Sequence, residues 1–310
     1  MKKGKMKLVA VIAALVFAAV YYYVALPAVN IHSSDLWMFM IIVVLIVAAV
    51  YLGKKKPTRF ELKRLKGFKV IVAAGVLVVG AYLIGSLLSS PIINAKKYQQ
   101  LLKVEEGEFT KDIEELSFDQ IPLLDKDSAT LLGNRKMGSM VDMVSQFEVD
   151  ELYSQINYQD QPVRVSPLRY ANLIKWFTNQ KEGIPAYVKI DMATQNTDLS
   201  FEIDEEGVPY WVCPVKKYNI GLFGGVTVGR VVLCNAVTGE TEDYAINEVP
   251  EWIDHAYSAD LLVQLYDYYG TLKHGYFNSI LGQKDCLITT NGYNYLAIDD
   301  DVWVYTGVTS

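Results

Sequence analysis

The sequence predicts an α+β fold, antiparallel β-meanders with packed helices, set behind an anchor of three N-terminal transmembrane helices. Three observations predict it. Three uncharged apolar runs fall within the first ninety residues, strand-like alternation broken by glycine-containing turns begins near residue 186, and the charge changes sign between the two regions. Residues 1–90 hold twelve Lys and Arg against Asp35 and Glu61, a net of +10, whereas residues 91–310 hold 17 basic and 33 acidic residues, a net of −16. That acidic excess repels phosphate backbones, which need clustered Lys and Arg, so no nucleic acid partner is expected.

The anchor comes first. Residues 8–29 form an uncharged run of about 22 residues, long enough at 1.5 Å per residue to cross the roughly 30 Å hydrocarbon core. Residues 36–53 and 70–88 form runs of about 18 and 19 residues, near the lower end of the spanning range. Lys2, Lys3, Lys5 and Lys7 resemble the basic start of a signal peptide, but the first run exceeds the usual apolar length of about 7 to 15 residues. Orientation follows from the loops. Lys2 to Lys7 precede the first span, and Lys54, Lys55, Lys56, Arg59, Lys63, Arg64, Lys66 and Lys69 fill the loop between the second and third. Basic loops stay in the cytoplasm. The sequence therefore predicts a multi-pass cell-membrane protein with a cytoplasmic N-terminus and an extracytoplasmic C-terminal domain.

Tyr21, Tyr22, Tyr23 and Trp37 sit where amphipathic rings meet headgroups. Ala10, Ala14 and Ala18, and likewise Ala81 and Gly85, recur at four-residue spacing and permit close helix approach, within the chain or against another subunit. No ionisable residue lies inside a span, which argues against transport by these helices.

Residues 91–185 read as a mainly helical stalk and connecting region. Pro91 ends the third span, and 94–104 resumes as a short helix with Tyr98, Leu101 and Leu102 on one side. Asp125 to Ser128 reads as a helix cap ahead of Ala129 to Leu132; the late ligands of a calcium loop are missing there. Leu168, Leu173, Trp176 and Phe177 predict an amphipathic helix over 168–177 that Gly183 and Pro185 stop.

From residue 186 the period becomes two. Strands are expected over 187–192, 199–203, 210–218 and 226–237, with a turn at 204–207 and a Gly221 to Gly225 connection able to supply positive φ. Thr238-Gly239-Glu240 turns the chain into a strand over 241–246. A helix follows over 254–269, then strands over 287–290, 293–298 and 302–306. The last of these is expected to leave an open edge, for a continuation of the chain or for another chain to pair with.

Pro209-Tyr210-Trp211-Val212 followed by Val231 to Glu240, a hairpin whose second strand ends in a T-G-E turn, resembles a PepSY-type unit. A second, incomplete unit would start near Tyr293. The resemblance covers about residues 186–310 and extends to uncharacterised membrane proteins of Gram-positive bacteria that carry PepSY-like units outside the cell. It implies a binding role, associated in that family with peptidase restraint or envelope sensing, and no catalytic residues. The long 221–225 connection and the incomplete second unit depart from the simple unit.

Little in the chain points to chemistry. His32, His255 and His274 lack the spacing of a zinc-peptidase or nucleophile motif. Asp299, Asp300 and Asp301 are the densest acidic cluster, read either as a hard-cation site or as a solvated turn. Cys213, Cys234 and Cys286 are too few and scattered for zinc. With a hairpin centred between Phe223 and Gly224, Cys213 and Cys234 would face each other as a cross-strand disulfide or stay as two reduced thiols. Tyr266, Tyr268, Tyr269, Tyr276, Tyr293 and Tyr295 cluster late in the chain, for core packing or for protein or glycan contact. No cofactor is implied. The reading that results is a bacterial cell-envelope binding or regulatory module without catalysis, partnered by the bilayer and by a protein or other envelope component. Its alternatives are a carboxylate hydrolase at the cell surface and an accessory subunit of a membrane complex.

Overall fold

A computed structural model describes residues 19, 22, 29–55, 66–108, 126–137, 147–150, 152–159, 161–170, 199–298 and 301–310. The chain divides into two units. Among the described residues, the first comprises those up to Ser89 together with Gly221–Phe223, and the second comprises the rest.

In the first unit, helix α1 runs over Ser34–Lys55 and α2 over Lys66–Ser89. The Asn30 to Ser33 turn leads into α1, with the Ser33 amide donating to the Asn30 carbonyl at 2.9 Å and the Asp35 amide to the Ser33 hydroxyl at 3.0 Å. The latter bond satisfies an amide that the first helical turn leaves free. At 22 and 24 residues, the helices measure about 33 and 36 Å, more than the roughly 30 Å of hydrocarbon. Their apolar side chains point outward, with Leu77 at 73% and Val70 at 68% exposure. The core helix of a water-soluble protein would bury such residues, so composition and exposure agree: both helices are long and apolar enough to cross a membrane. They contain the second and third expected spans. The first expected span, 8–29, and its alanines Ala10, Ala14 and Ala18 lie outside the described residues.

The second unit starts with α3, Pro91–Gln99. Pro91 opens this helix, where its missing N–H goes unneeded, and the helix ends five residues short of the expected 104. Helix α4 covers Lys126–Met137, so Asp127 and Ser128, expected to cap a helix over 129–132, lie instead within its first turn.

The expected helical character of 91–185 gives way to strands over 147–170. Strands β1 (Phe147–Val149) and β4 (Leu168–Tyr170) pair antiparallel, as do β2 (Ser154–Tyr158) and β3 (Gln161–Val165), so one hairpin nests within the other. Gln159, at φ +53°, turns the inner hairpin. The helix expected over 168–177 thus begins as a strand, because the Ser-Gln-Ile-Asn-Tyr and Pro-Val-Arg-Val alternation is period two and Leu168–Tyr170 completes its outer ladder. Residues 171–198, including the expected strand at 187–192, lie outside the described residues.

The main sheet has the order β5-β6-β7-β8, with β5 at Ser200–Ile203, β6 at Pro209–Ile220, β7 at Gly224–Asn235 and β8 at Thr241–Ala245. This is the antiparallel meander the alternation predicts. Gly207 and Gly239, at φ +80° and +77°, make its two short turns. A bulge between Val215 and Lys216 shifts the long β6–β7 hairpin. On one face Val212, Val228, Val231 and Leu233 form the core with Ile253, and Tyr210, Trp252 and Leu261 close around it. Burying each of these aliphatic side chains contributes about 1.5 to 3 kcal/mol.

Helix α5 spans Ala259–Thr271 and is capped by the Ser258 hydroxyl, which accepts from the Leu261 amide at 3.3 Å. It starts five residues later than expected because 250–257 commits its backbone elsewhere, as described below. A second small core joins Tyr98, Ile220 and Leu272, with Ala95, Tyr268 and Tyr276 packed against it. The C-terminal strands form two separate pairs: β10 (Asn294–Ile298) with β11 (Asp301–Tyr305), and β9 (Ile288–Thr289) with β12 (Val308–Thr309). Strand β11, the last one expected, pairs along one edge with β10 alone among the described residues, and a further strand that was not expected, β12, pairs with β9.

Candidate functional site

The second unit gathers its polar chemistry around Glu202. In β5, Ser200 pairs with Val212 and Glu202 with Tyr210, so both polar side chains share the face that carries the aliphatic core. Glu202 is 0% exposed. An isolated buried carboxylate is costly, and here three neighbours compensate it. The Ser200 hydroxyl donates at 2.5 Å, the Asp254 amide donates at 3.0 Å, and the His255 amide adds a further bond. Burial nevertheless dominates and pushes the Glu202 pKa up to about 7.

The 250–257 segment supplies those amides. Trp252 and Ile253 pack into the core, and the chain then presents two successive N–H groups to the carboxylate. The same residues grip the nested hairpin. The Asp254 carboxylate accepts from the Asn157 amide at 2.8 Å, His255 Nε2–H donates to the Gln155 carbonyl at 2.7 Å, and the Phe201 amide donates to Ser154 Oγ at 2.9 Å. Burial lowers the His255 pKa, keeping the ring neutral, and the bond to Gln155 places its proton on Nε2.

Above this hub lies an aromatic face. The His255 and Tyr295 rings stand edge-on with centroids 5.6 Å apart, and Tyr293 meets Tyr295 in the same way at 5.6 Å. Tyr293 hydrogen-bonds both Tyr295 and Asp260, and Tyr153 lies near enough to raise the pKa of both tyrosines, although burial is the larger cause for each. Arg164 stacks over the Tyr153 ring at 4.6 Å. The side-chain nitrogens Gln155 Nε2 and Arg164 Nη1 are buried here without a hydrogen-bond partner. Among the described residues no group of three or more His, Cys, Asp or Glu is placed to hold a metal ion.

The residues singled out by sequence go to different places. Asp301 opens β11 opposite Ile298, while Asp299 and Asp300 lie outside the described residues. Cys213 faces Val232 and Cys234 faces Trp211, so the two thiols are diagonal and not opposite. The tip is Gly221–Phe223, centred earlier than expected, and with the bulge this moves each partner by two positions. Both cysteines are buried and free, and burial pushes the Cys213 thiol up to about 12. Ala81 and Gly85 of α2 line a recess with Leu88, Gly221 and Leu222 within the first unit, and a side chain at Gly85 would meet Leu222 and Phe223. Trp37, expected as an interfacial anchor, packs there with Tyr82 and Phe223 at 6.1 Å from each.

Sequence reasoning missed Ser89, whose hydroxyl accepts from the Leu222 and Phe223 amides at 2.9 and 3.1 Å, and it named His32 without a role, whereas the His32 Nδ1–H donates to the Leu222 carbonyl at 2.7 Å. Of the late tyrosines, Tyr268 and Tyr276 serve the second core, Tyr266 pairs with Tyr269 at 5.9 Å, and only Tyr293 and Tyr295 join the aromatic face. His274 pairs with Asp285 at 2.9 Å away from it. No protein-family model matches the chain, and neither a curated protein nor a solved structure does.

Proposed function

We propose that the chain is a membrane-anchored, extracytoplasmic binding or regulatory module of the cell envelope, whose contact surface is the Tyr153, Tyr293 and Tyr295 face. The observation that carries the reading is the convergence of these three rings, from two segments distant in sequence, beside the His255 and Glu202 hub. Tyrosines offer large, stiff contact area with a polar tip, which suits recognition of a protein or another envelope component. The hub supports binding over catalysis, because Glu202 is fully enclosed and its oxygens are taken up by Ser200 and Asp254. Two apolar helices support membrane attachment, the basic loop between them supports an extracytoplasmic second unit, and the resemblance to PepSY units agrees with a binding role.

A photo-crosslinking phenylalanine analogue at Tyr293, in the full chain in intact cells, tests this. A discrete adduct is expected at 293, absent when the analogue replaces exposed Glu248 and lost when Tyr153→Ala is added. Equal crosslinking at both positions, or no adduct at 293, overturns the reading.

A further inference from the structure

Within the second unit, one turn displays large apolar side chains to solvent, with the Phe277 ring meeting only the edge of Tyr276, at 5.9 Å, among its ring contacts with described residues. Phe277, Ile280 and Leu281 are 67%, 54% and 82% exposed. The turn that carries them is braced. Gln283 donates its amide to the Asn278 carbonyl at 2.6 Å, the Asn278 side chain bonds both the amide and the carbonyl of Lys284, and Ser279 donates to the Tyr276 carbonyl at 2.7 Å. Gln283 and Asp285 hold positive φ, +49° and +52°, although neither is glycine. Local strain spent on keeping three apolar residues in the open is characteristic of a contact surface.

The turn is tied to α3. Tyr276 packs in the same small core as Ala95 and Tyr98, and α3 packs on α5. At the start of α3, Ile92 and Ile93 are again exposed, and they follow the last residue of α2, Ser89, within four positions. The chain therefore reaches Ile92 and Ile93 as it leaves its apolar span. Lys273 and Lys284 flank the turn, in a region, 91–310, whose net charge is −16, and Lys273 lies over the Tyr269 ring at 5.4 Å. Exposed aliphatic and aromatic groups bordered by lysines match the acyl and phosphate layers of a lipid surface.

We propose that Ile92, Ile93, Phe277, Ile280 and Leu281 form one lipid-facing surface that seats the second unit in the headgroup region of the bilayer, with Lys273 and Lys284 against lipid phosphates. The proposal rests on the membrane-anchored reading, and its test separates the two. The full chain carrying Cys286→Ser is reconstituted into vesicles of phosphatidylcholine and phosphatidylglycerol, with a polarity-sensitive fluorophore on Leu281→Cys, Leu77→Cys or Val237→Cys; Cys213 and Cys234 are buried. Emission from 281 is expected to shift to the blue of that from 237 and to fall about twofold when the lipid carries a spin label near its headgroup, whereas 77, midway along α2, is read against a spin label deep in the acyl chain. Lys273→Glu with Lys284→Glu should reverse part of that change in anionic vesicles. A water-like 281 beside a quenched 77 overturns the lipid surface and leaves the anchor standing. A shielded 281 that lipid spin labels do not quench means a protein contact and also overturns it. An unquenched 77 removes the anchor and this surface together.

Discussion

Glu202 and His255 meet around two backbone amides, and burial moves their pKa values in opposite senses. The Glu202 carboxyl rises from 4.5 to about 7, so between those values the folded chain keeps a proton that the unfolded chain releases. Its contribution to stability is full below pH 4.5 and falls as pH climbs to 7, by roughly 3 kcal/mol at 1.36 kcal/mol per unit. The His255 pKa is lowered below 6.5, so its contribution is present above 6.5 and is lost as the pH drops through the lowered value. Glu202→Gln keeps a hydrogen-bonding oxygen for the Asp254 amide and removes the charge. It should abolish the loss of stability between pH 4.5 and 7 and leave the acid-side loss in place. Unfolding of the full chain in detergent, followed by the fluorescence of Trp252 packed beside Tyr210, measures both limbs, and an unchanged neutral limb in the variant would remove Glu202 as its source. The identity of this residue was hidden in the alternation. The alternation marks 199–203 as a strand without saying that its polar residues face inward; the sheet buries Ser200 and Glu202, because the 250–257 segment brings amides to that face.

At the scale of elements, α5 is held by more than its apolar stripe. The Gly270 carbonyl accepts from the Leu287 amide at 3.2 Å, and the Asp267 carboxylate accepts from both the amide and the hydroxyl of Thr289, at 2.8 and 3.2 Å. Strand β9 thus hooks onto the helix through its backbone, and β12 is paired in turn to β9. A Cβ at Gly270 would lie 2.2 Å from the Leu287 carbonyl oxygen, a main-chain atom with little freedom to yield. Gly270→Ala should therefore destabilise the chain by about 1 to 3 kcal/mol despite the better helix propensity of alanine, and should detach β9 and β12 first. Hydrogen exchange resolves this. Loss of protection confined to the Leu287, Thr289 and Thr290 amides is expected, with β6 and β7 unchanged, and uniform protection throughout would contradict the crowding argument. The main meander was legible because its turns are written in glycines and its strands in period two. Strands β1 to β4 were not, because they hold three to five residues each, too short for periodicity to outweigh the helical pattern of Leu168, Leu173, Trp176 and Phe177. The β9–β12 pairing was hidden for another reason: each strand has two residues, and what fixes them is a helix distant in sequence.

At the scale of the whole molecule, hydropathy and charge act together. The runs at 36–53 and 70–88 were legible as helices because no charge interrupts them, and α1 and α2 extend them by only a few residues at each end. The same reading gave Ala81 and Gly85 as a packing stripe but not their neighbours, Leu222 and Phe223, because nothing local couples residue 85 to a segment more than 130 positions later. Orientation depends on a different quantity. From the last turn of α1 to the start of α2 the chain carries Lys54, Lys55, Lys56, Arg59, Lys63 and Arg64 with only Glu61 opposed, and short loops of this composition are retained on the cytoplasmic side. The acidic second unit, with few basic residues near the end of α2, meets no such barrier. A membrane-impermeant maleimide applied to intact cells, with Cys286→Ser as background, should modify Val237→Cys, which lies in an exposed turn, and should modify Lys63→Cys only after the membrane is opened. The reverse pattern would place the basic loop outside and the tyrosine face in the cytoplasm. In that case the charge asymmetry would have yielded to the first, more N-terminal segment in setting the direction of insertion, and the envelope would no longer be where a partner for Tyr293 and Tyr295 is sought.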